Sequence, residues 1–208
     1  MKADEMMSLL KMFNWGVLGG LYGLGHNTII GFISCEWMSR SSQFVVLDGA
    51  PAAVIGEGRS GQTNADAILC YDDRPAVAVE VESVAENYAV KLESLSKYFS
   101  NCHDYDGLEY GMLVMLNLRT NVPSSQRYVT DDRQFEALKE SARARTGGFA
   151  LLSIEKRTER MGLQYISTPL AHLRMRNDYY PWRVNRVIAW VKDAAGGVDS
   201  GRIWEEGF

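Results

Sequence analysis

Residues 65–82 read ADAILCYDDRPAVAVEVE, and this stretch predicts a strand, a tight turn and a second strand. The apolar runs on either side of the DD pair have the length and the β-branched residues of strands, and aspartate is common in turns. Antiparallel pairing would bring Asp66 beside the acidic end of the second strand. Because side chains alternate across a strand, Glu80 and Glu82 project from one face, and the neighbouring valines face an apolar layer.

Three carboxylates are therefore expected to converge at this end of the hairpin. Carboxylates held close together repel one another and raise each other's pKa values unless a cation neutralises them. Mg²⁺ and Mn²⁺ prefer oxygen ligands, so either ion suits such a group. The alternative is a hairpin whose acidic edge is solvated and binds no metal.

The next element is predicted as an amphipathic helix over residues 84–99. Its apolar residues recur at steps of three and four: Val84, Tyr88, Leu92, Leu95 and Phe99. Ser83 and Glu86 have the spacing of a capping box at its start. Lys91 lies at the edge of the apolar stripe, whereas Lys97 lies on the solvated side. Lys91 can therefore extend past the core to solvent, or bring its ammonium group to the acidic strand.

Together these residues resemble a known family, the PD-(D/E)xK or restriction-endonuclease-like nucleases. In that family an acidic residue on one strand is followed, on the next strand, by an acidic residue, any residue and a lysine. Asp66 matches the first position and Glu80 the second. Glu82 stands where the lysine is expected. Some restriction endonucleases of this fold carry E-x-E, and other members place the lysine on the following helix, where Lys91 stands.

The resemblance implies a metal-dependent nuclease that hydrolyses phosphodiester bonds, with DNA as the expected substrate and Mg²⁺ or Mn²⁺ as cofactor. Asp66 and Glu80 would hold the metal ion, and Glu82 would complete the metal shell or act as general base. Lys91 would polarise the attacked phosphate or position the attacking water.

The resemblance also implies the fold. It predicts an α/β protein with an αβββαβ core in residues 28–117, in which helices flank a mixed sheet, and with further N-terminal and C-terminal helices. The family often supplies another acidic metal ligand upstream of the hairpin. The candidates for that position here are Glu57 and Glu36.

The rest of the chain fits that order of elements. We predict helices over residues 4–20 and 27–40, with Asn27 as the N-cap of the second, and short strands at 44–47 and 53–55 separated by a turn. After the helix at 84–99 we predict a strand at 110–118, a helix at 131–145, strands at 149–155 and 163–167, and a final helix at 181–194. Neither a linker nor a repeat interrupts the chain, so a single domain over 1–208 is expected, with a C-terminal extension at 120–208.

The charge balance constrains the partner. A net charge of -4 and a pI of about 5.5 give no broad basic surface of the kind that many DNA-binding proteins present. A local contact is still available, because Arg59 lies in a GRSG loop near the acidic residues and is the candidate nucleic-acid-binding residue. The acidic pI and the missing lysine at position 82 leave open a catalytically inactive protein of the same fold that binds nucleic acid or a protein partner.

Cysteine and histidine usage indicates neither a zinc site nor a covalent nucleophile. Cys35 and Cys70 lie in apolar contexts and are predicted to be buried thiols of a cytoplasmic protein. His26 and His172 are assigned structural roles.

Residues 12–38 are nearly uncharged and rich in glycine, and Gly16 and Gly20 have the GxxxG spacing used between membrane helices. A membrane-associated interaction protein is therefore a further alternative. Integral insertion is not expected, because Asn14 and His26 would lie in or near the hydrocarbon and no basic flank of the signal-peptide type is present. Close packing of two buried helices, or a homodimer contact, explains the small residues.

Overall fold

The computed structural model describes residues 1–18, 25–40, 45–56, 59–101, 108–119, 132–158 and 182–205. Within these ranges the chain is an α/β protein, as predicted. The helices are α1 (Ala3–Lys11), α2 (His26–Met38), α3 (Tyr88–Asn101) and α4 (Asp132–Arg143), with 3₁₀ turns at Trp15–Leu18 and Ala85–Asn87. The strands are β1 (Val45–Gly56), β2 (Arg59–Tyr71), β3 (Arg74–Glu82), β4 (Tyr110–Arg119), β5 (Gly148–Thr158), β6 (Trp182–Lys192) and β7 (Val198–Glu205).

The seven strands form one mixed sheet in which each strand lies beside its neighbours in sequence. β3, β4 and β5 are parallel, and the other adjacent pairs are antiparallel. α3 connects β3 to β4 and α4 connects β4 to β5, because parallel strands need a crossover connection. The carboxyl ends of β3, β4 and β5 therefore lie at the same edge of the sheet.

The two faces of the sheet carry separate apolar clusters. One cluster joins α1 and α2 to the face that carries Val77, Val79 and Val81. The other joins α3 and α4 to the opposite face. Alternation along β3 places Glu80 on the α3 face. The prediction of a mixed sheet flanked by helices is confirmed.

The hairpin of β2 and β3 forms as predicted. Asp72 and Asp73 at its turn have φ values of 49° and 58°. Positive φ at both central residues is the geometry of a type I′ turn, whose twist matches that of the flanking strands, and aspartate tolerates it better than most residues. β2 begins at Arg59, six residues earlier than the sequence indicated.

From α2 to β4 the order of elements is helix, three strands, helix and strand, as predicted for residues 28–117. The two short strands predicted at 44–47 and 53–55 are wrong, because β1 runs through both. A register shift between Leu47 and Ala50, and not a turn, accommodates the DGAP sequence. Pairing with β2 satisfies the backbone of this stretch, so the chain has no need to reverse there.

The helix predicted over residues 4–20 is also wrong in length, because α1 ends at Lys11. Asn14 and Gly16 are weak helix formers. The indole N–H of Trp15 donates to the carbonyl oxygen of Leu10 at 2.9 Å, which holds the chain in a reversal after the helix.

Two predicted helix starts are wrong. α3 begins at Tyr88 after a 3₁₀ turn, and Val84 is 45% exposed instead of belonging to the buried stripe. The Glu82 side chain binds the amides of Ser83 and Val84, so the predicted capping box is not formed. At α2 the N-cap is Gly25 and not Asn27.

The final helix predicted over residues 181–194 is wrong, because this segment is strand β6. A bulge opposite Glu155 and Lys156 inserts one extra residue into β6, so its buried residues Val184 and Val187 are three positions apart. That spacing imitates a helical period in the sequence. The predicted strand at 163–167 and His172 lie outside the described residues.

The glycine-rich segment at 12–38 contributes a 3₁₀ turn and α2 to the part of the chain that the structure describes. No helix in that part is long and apolar enough to cross a membrane. Cys35 is exposed on α2, contrary to the prediction, because it lies on the face of the helix that points away from the sheet. Cys70 is buried as predicted, and burial raises the pKa of its thiol.

Candidate active site

Asp66 lies on β2 beside the carboxyl end of β3. Its Oδ2 accepts a hydrogen bond from the backbone N–H of Val81 at 2.8 Å, which fixes the carboxylate next to Glu80. The bulge in β1 lies opposite Asp66, since Leu47 pairs with Ala67 and Ala50 pairs with Ala65. Bulges re-aim strands and are common next to active sites.

His26 reaches the same carboxylate from α2. Its Nε2 lies 2.9 Å from Asp66 Oδ2, and its Nδ1 lies 3.0 Å from the side-chain oxygen of Asn27. In the tautomer that carries its proton on Nε2, the ring donates to the Asp66 carboxylate. The role assigned to His26 from sequence is incomplete, because the structure places it at the acidic end of the hairpin.

Packing of α2 along β2 holds His26 in this position. The indole N–H of Trp37 donates to the Cys70 carbonyl oxygen at 2.7 Å. The eleven residues from His26 to Trp37 rise about 17 Å in a helix. The four residues from Asp66 to Cys70 span about 14 Å in a strand, so one rigid helix can make both contacts.

Glu80 and Lys91 form a close ion pair. Lys91 Nζ donates to Glu80 Oε2 at 2.6 Å, and Glu80 is only 3% exposed. Leu92 and Leu95 are buried against the sheet and set the rotation of α3, which turns Lys91 toward β3. Lys91 therefore reaches the acidic strand and does not simply extend to solvent.

Asp66, Glu80, Glu82 and Lys91 interact electrostatically and are called the acidic cluster below. Burial is the main cause that raises the pKa of Glu80, Asp66 adds to it, and Lys91 opposes it without cancelling it. For Lys91 burial lowers the pKa, but the hydrogen bond that Lys91 donates to Glu80 and the charges of the three carboxylates outweigh burial, and the pKa is raised.

The Asp66 carboxylate acts on both partners of the ion pair. A neighbouring negative charge favours the protonated form of an acid and of a base alike, so Asp66 raises the pKa values of both Glu80 and Lys91, although burial is the larger cause for Glu80. A bound cation would relieve this repulsion, as the sequence predicted for converging carboxylates.

Glu82 has a structural role that the sequence did not indicate. Its Oε1 accepts hydrogen bonds from the amides of Ser83 at 2.7 Å and Val84 at 2.8 Å, and its Oε2 accepts one from Asn87 Nδ2 at 3.1 Å. Both oxygens thus hold the chain reversal between β3 and α3. The following loop offers donors at short range, which is why the carboxylate binds locally.

Two of the other candidates lie away from the acidic cluster. Glu36 accepts hydrogen bonds from the Asn14 amide at 3.0 Å and from Arg40 at 2.8 Å. It follows His26 by ten residues on α2, which is about 15 Å along the helix. Arg59 begins β2 and precedes Asp66 by seven residues, about 23 Å along the strand. Glu57 lies outside the described residues.

The donor set can be compared with the needs of a metal ion. Among the side chains that the structure describes, no group of three or more His, Cys, Asp or Glu is arranged to hold a metal. Mg²⁺ is usually bound through one or two carboxylates, with waters and substrate phosphates completing its shell. Asp66 and Glu80 supply two neighbouring carboxylates, so the site fits an ion held partly by substrate and does not form a closed cage.

Comparison with protein-family models, curated proteins and solved structures finds no match to this chain. Function is therefore inferred from the geometry and the chemistry of the acidic cluster and of His26 beside it.

Proposed function

We propose that this chain is a metal-dependent nuclease that hydrolyses phosphodiester bonds in DNA and belongs to the PD-(D/E)xK superfamily. The observation that carries the proposal is the contact of 2.6 Å between Lys91 Nζ and the buried Glu80 carboxylate, directly beside Asp66. The order of elements from α2 to β4 and the position of Asp66 beside the carboxyl end of β3 support it.

In this proposal Asp66 and Glu80 are the protein ligands of Mg²⁺ or Mn²⁺. The bound ion would supply charge stabilisation on the phosphate and a water of lowered pKa. The amide of Val81 and the ring of His26 hold the Asp66 carboxylate in one orientation. A fixed carboxylate binds with less loss of side-chain entropy, so His26 acts as a positioning residue.

Lys91 is the group that meets the substrate. An ammonium group has three donors, and Glu80 uses one of them, so others can bind a nonbridging phosphate oxygen or orient the attacking water. Developing charge on the phosphate is stabilised most where water is excluded, and Glu80 is almost fully buried. Glu82 contributes by fixing the start of α3, the helix that carries Lys91.

A noncatalytic protein that binds nucleic acid with the same architecture is the second candidate. It is favoured by Glu82, whose two oxygens are engaged by its own loop and which cannot replace the lysine of the motif. Calorimetric titration with Mg²⁺ or Mn²⁺ distinguishes the two candidates. The nuclease takes up metal in a manner that depends on Asp66, whereas the noncatalytic protein takes up none.

A cleavage assay tests the proposed nuclease activity directly. Purified protein is incubated with labelled single-stranded and double-stranded DNA and RNA, in Mg²⁺, Mn²⁺ or EDTA. We expect cleavage only with metal, and we expect Glu80→Ala to lower the rate by at least about 100-fold, because removing a ligand costs more than removing one of its supporting partners.

Glu93→Ala is the matched control, since Glu93 is an exposed glutamate on α3. It should retain the parent rate, and circular dichroism should show that both variants are folded. Equal cleavage by the parent and by folded Glu80→Ala would remove this site from consideration. Absence of cleavage with every substrate would support the noncatalytic protein.

A further inference from the structure

One face of α4 packs toward α3. Leu138 and Ala142 lie on this face and are buried in the same apolar cluster as Leu92 and Leu95 of α3. Gln134 precedes Leu138 by four positions, so it lies on the same face of α4, one turn nearer to the start of the helix. The packing of the two helices therefore brings Gln134 to the segment that leads into α3.

Gln134 binds a backbone carbonyl group at the start of α3. Its Nε2 donates to the carbonyl oxygen of Ala85 at 3.0 Å. The same oxygen accepts a hydrogen bond from the backbone N–H of Tyr88, the residue at which α3 begins. Ala85 is also packed against the apolar cluster that contains Leu138. One carbonyl group thus joins the first turn of α3 to α4.

The chain reversal between β3 and α3 is fixed from two sides. The Glu82 carboxylate binds the amides of Ser83 and Val84 and the side chain of Asn87, and Gln134 binds from the side of α4. The side chains of Ser83, Val84 and Asn87 are exposed, so apolar burial contributes little here. Segments with few buried contacts open most easily. These polar contacts therefore fix the position at which α3 starts.

The position of the first turn of α3 sets the reach of Lys91. Lys91 follows Tyr88 by three residues, which is about one helical turn. Its Nζ lies 2.6 Å from Glu80 Oε2. A shift of the first turn by about 1 Å would lengthen this contact to about 3.6 Å, beyond the range of a hydrogen bond. Glu80 cannot follow such a shift, because β3 is paired with strands on both sides.

We propose that Gln134 is a positioning residue of the nuclease. It fixes the first turn of α3 through the Ala85 carbonyl group and so keeps Lys91 at the distance from Glu80 that cleavage requires. The inference rests on the proposed function, and it gives α4, which lies outside the αβββαβ core, a part in that site. Gln134 acts through Lys91 and does not itself contact the substrate.

The test variant is Gln134→Met. Methionine has a similar length and a similar helix propensity, and it lacks the amide donor. The matched control is Ser96→Ala, which removes the hydroxyl that Arg145 Nη1 binds at 2.8 Å, farther along α3. Each variant loses one side-chain contact between α3 and the region of α4, but only Gln134→Met changes the turn that leads to Lys91. Circular dichroism should show that both variants are folded.

Hydrogen exchange followed by mass spectrometry measures the first turn of α3 without any substrate. We expect the amides of residues 84–90 to exchange about fivefold faster in Gln134→Met than in the parent, the effect of losing one hydrogen bond. Ser96→Ala should leave the exchange of these residues unchanged. Equal exchange in Gln134→Met and the parent would overturn the inference.

Cleavage kinetics test the consequence for the site. Gln134→Met should lower kcat by about tenfold or more and change KM by less than about twofold, because Lys91 acts on the transition state and small misplacements of a catalytic group are costly. Ser96→Ala should keep the kcat and KM of the parent. A loss that appears in KM and not in kcat would contradict the positioning role.

A double variant shows whether Gln134 acts through Lys91. If it does, adding Gln134→Met to Lys91→Met should slow cleavage no further than Lys91→Met alone. A further loss of about tenfold in the double variant would mean that Gln134 has a separate role, and it would overturn the inference.

Failure of the inference can be told apart from failure of the proposed function. A parent that cleaves and a Gln134→Met variant that matches it in both kcat and exchange would overturn the inference alone. A parent that cleaves no substrate would overturn the nuclease, and the catalytic part of the inference with it. The exchange measurement would then still decide whether Gln134 fixes the first turn of α3.

Discussion

At the scale of single residues, the face of a helix decides what a lysine does. Lys91 and Lys97 are six positions apart on α3, but Lys91 contacts Glu80 whereas Lys97 is exposed. The sequence indicated this difference, because helical periodicity relates each lysine to the apolar stripe. It did not give the contact itself, which depends on how close α3 packs to β3.

The pair of lysines provides a matched test. Lys91→Met keeps the apolar stem and removes the ammonium group, so it should lower kcat/KM for metal-dependent cleavage by about 10²–10³-fold, as for other groups that stabilise developing charge. Lys97→Met makes the same chemical change on the solvated face and should leave kcat/KM unchanged. Steady-state cleavage at saturating Mg²⁺ gives both numbers. Similar rates for the two variants would assign Lys91 a purely structural role.

The acidic residues were easier to predict than their partners. Asp66 and Glu80 belong to one hairpin, so spacing along the sequence is enough to bring them together. His26 precedes Asp66 by forty positions and meets it only because α2 packs along β2. The sequence indicated only that His26 stands at the start of an apolar helix. The capping role of Glu82 was missed because the sequence does not show whether a carboxylate accepts hydrogen bonds from its own loop or from distant donors.

At the scale of elements, a lysine at the end of β6 caps the C-terminal end of helix α4. Lys192 ends β6 and is 7% exposed. Its Nζ donates to the carbonyl oxygens of Ala142 at 3.2 Å, Arg143 at 3.4 Å and Arg145 at 2.6 Å, at and just past the end of α4. The last carbonyl groups of a helix have no hydrogen-bond partner within the helix, and a cation there is also attracted to the negative end of the helix dipole. Burial lowers the pKa of Lys192, so part of this gain is offset by desolvation.

Lys192→Met should therefore destabilise the protein by about 1–3 kcal/mol, the cost of leaving buried carbonyl groups without their donor. Methionine keeps an apolar stem of similar length, so the change removes the ammonium group together with its contact of 5.8 Å with the centre of the Phe149 ring. Urea denaturation at neutral pH measures the free energy of unfolding. Lys97→Met is again the control and should differ little from the parent. A loss no larger than that of the control would mean that water replaces the ammonium group at these carbonyls.

At the scale of the whole molecule, the central crossovers were predictable and the covering layers were not. Helices α3 and α4 both lie on one face, because successive right-handed crossovers that proceed in one direction across a sheet place their helices on the same side. The opposite face is covered by α1 and α2, which are distant in sequence from most of the strands they cover. β6 was misread because a bulge breaks its alternation. The candidate site combines both layers, with His26 from one and Lys91 from the other.

The buried carboxyl group of Glu80 should make the stability of the metal-free protein depend on pH. The pKa of Glu80 is raised in the folded state, mainly by burial. In the unfolded chain a glutamate has a pKa of about 4.3. Between that pH and the raised pKa, the folded state holds a proton that the unfolded state has lost. The free energy of unfolding therefore falls as the pH rises through this window.

Glu80→Gln removes the ionisable group but keeps its shape. The free energy of unfolding of this variant should therefore not fall as the pH rises through this window. Relative to the parent in EDTA, it should gain free energy of unfolding between about pH 4 and pH 7, because the unfolded glutamate titrates near 4.3. Glu93→Gln changes an exposed glutamate and should show no such gain. Mg²⁺ at about 100 times its Kd should then stabilise the parent by about 2.7 kcal/mol at pH 7. The same Mg²⁺ should leave Glu80→Gln nearly unchanged, because the carboxylate that holds the ion is gone. A constant difference across the pH range, together with equal responses to Mg²⁺, would show that Glu80 neither has a raised pKa in the folded protein nor holds the metal ion.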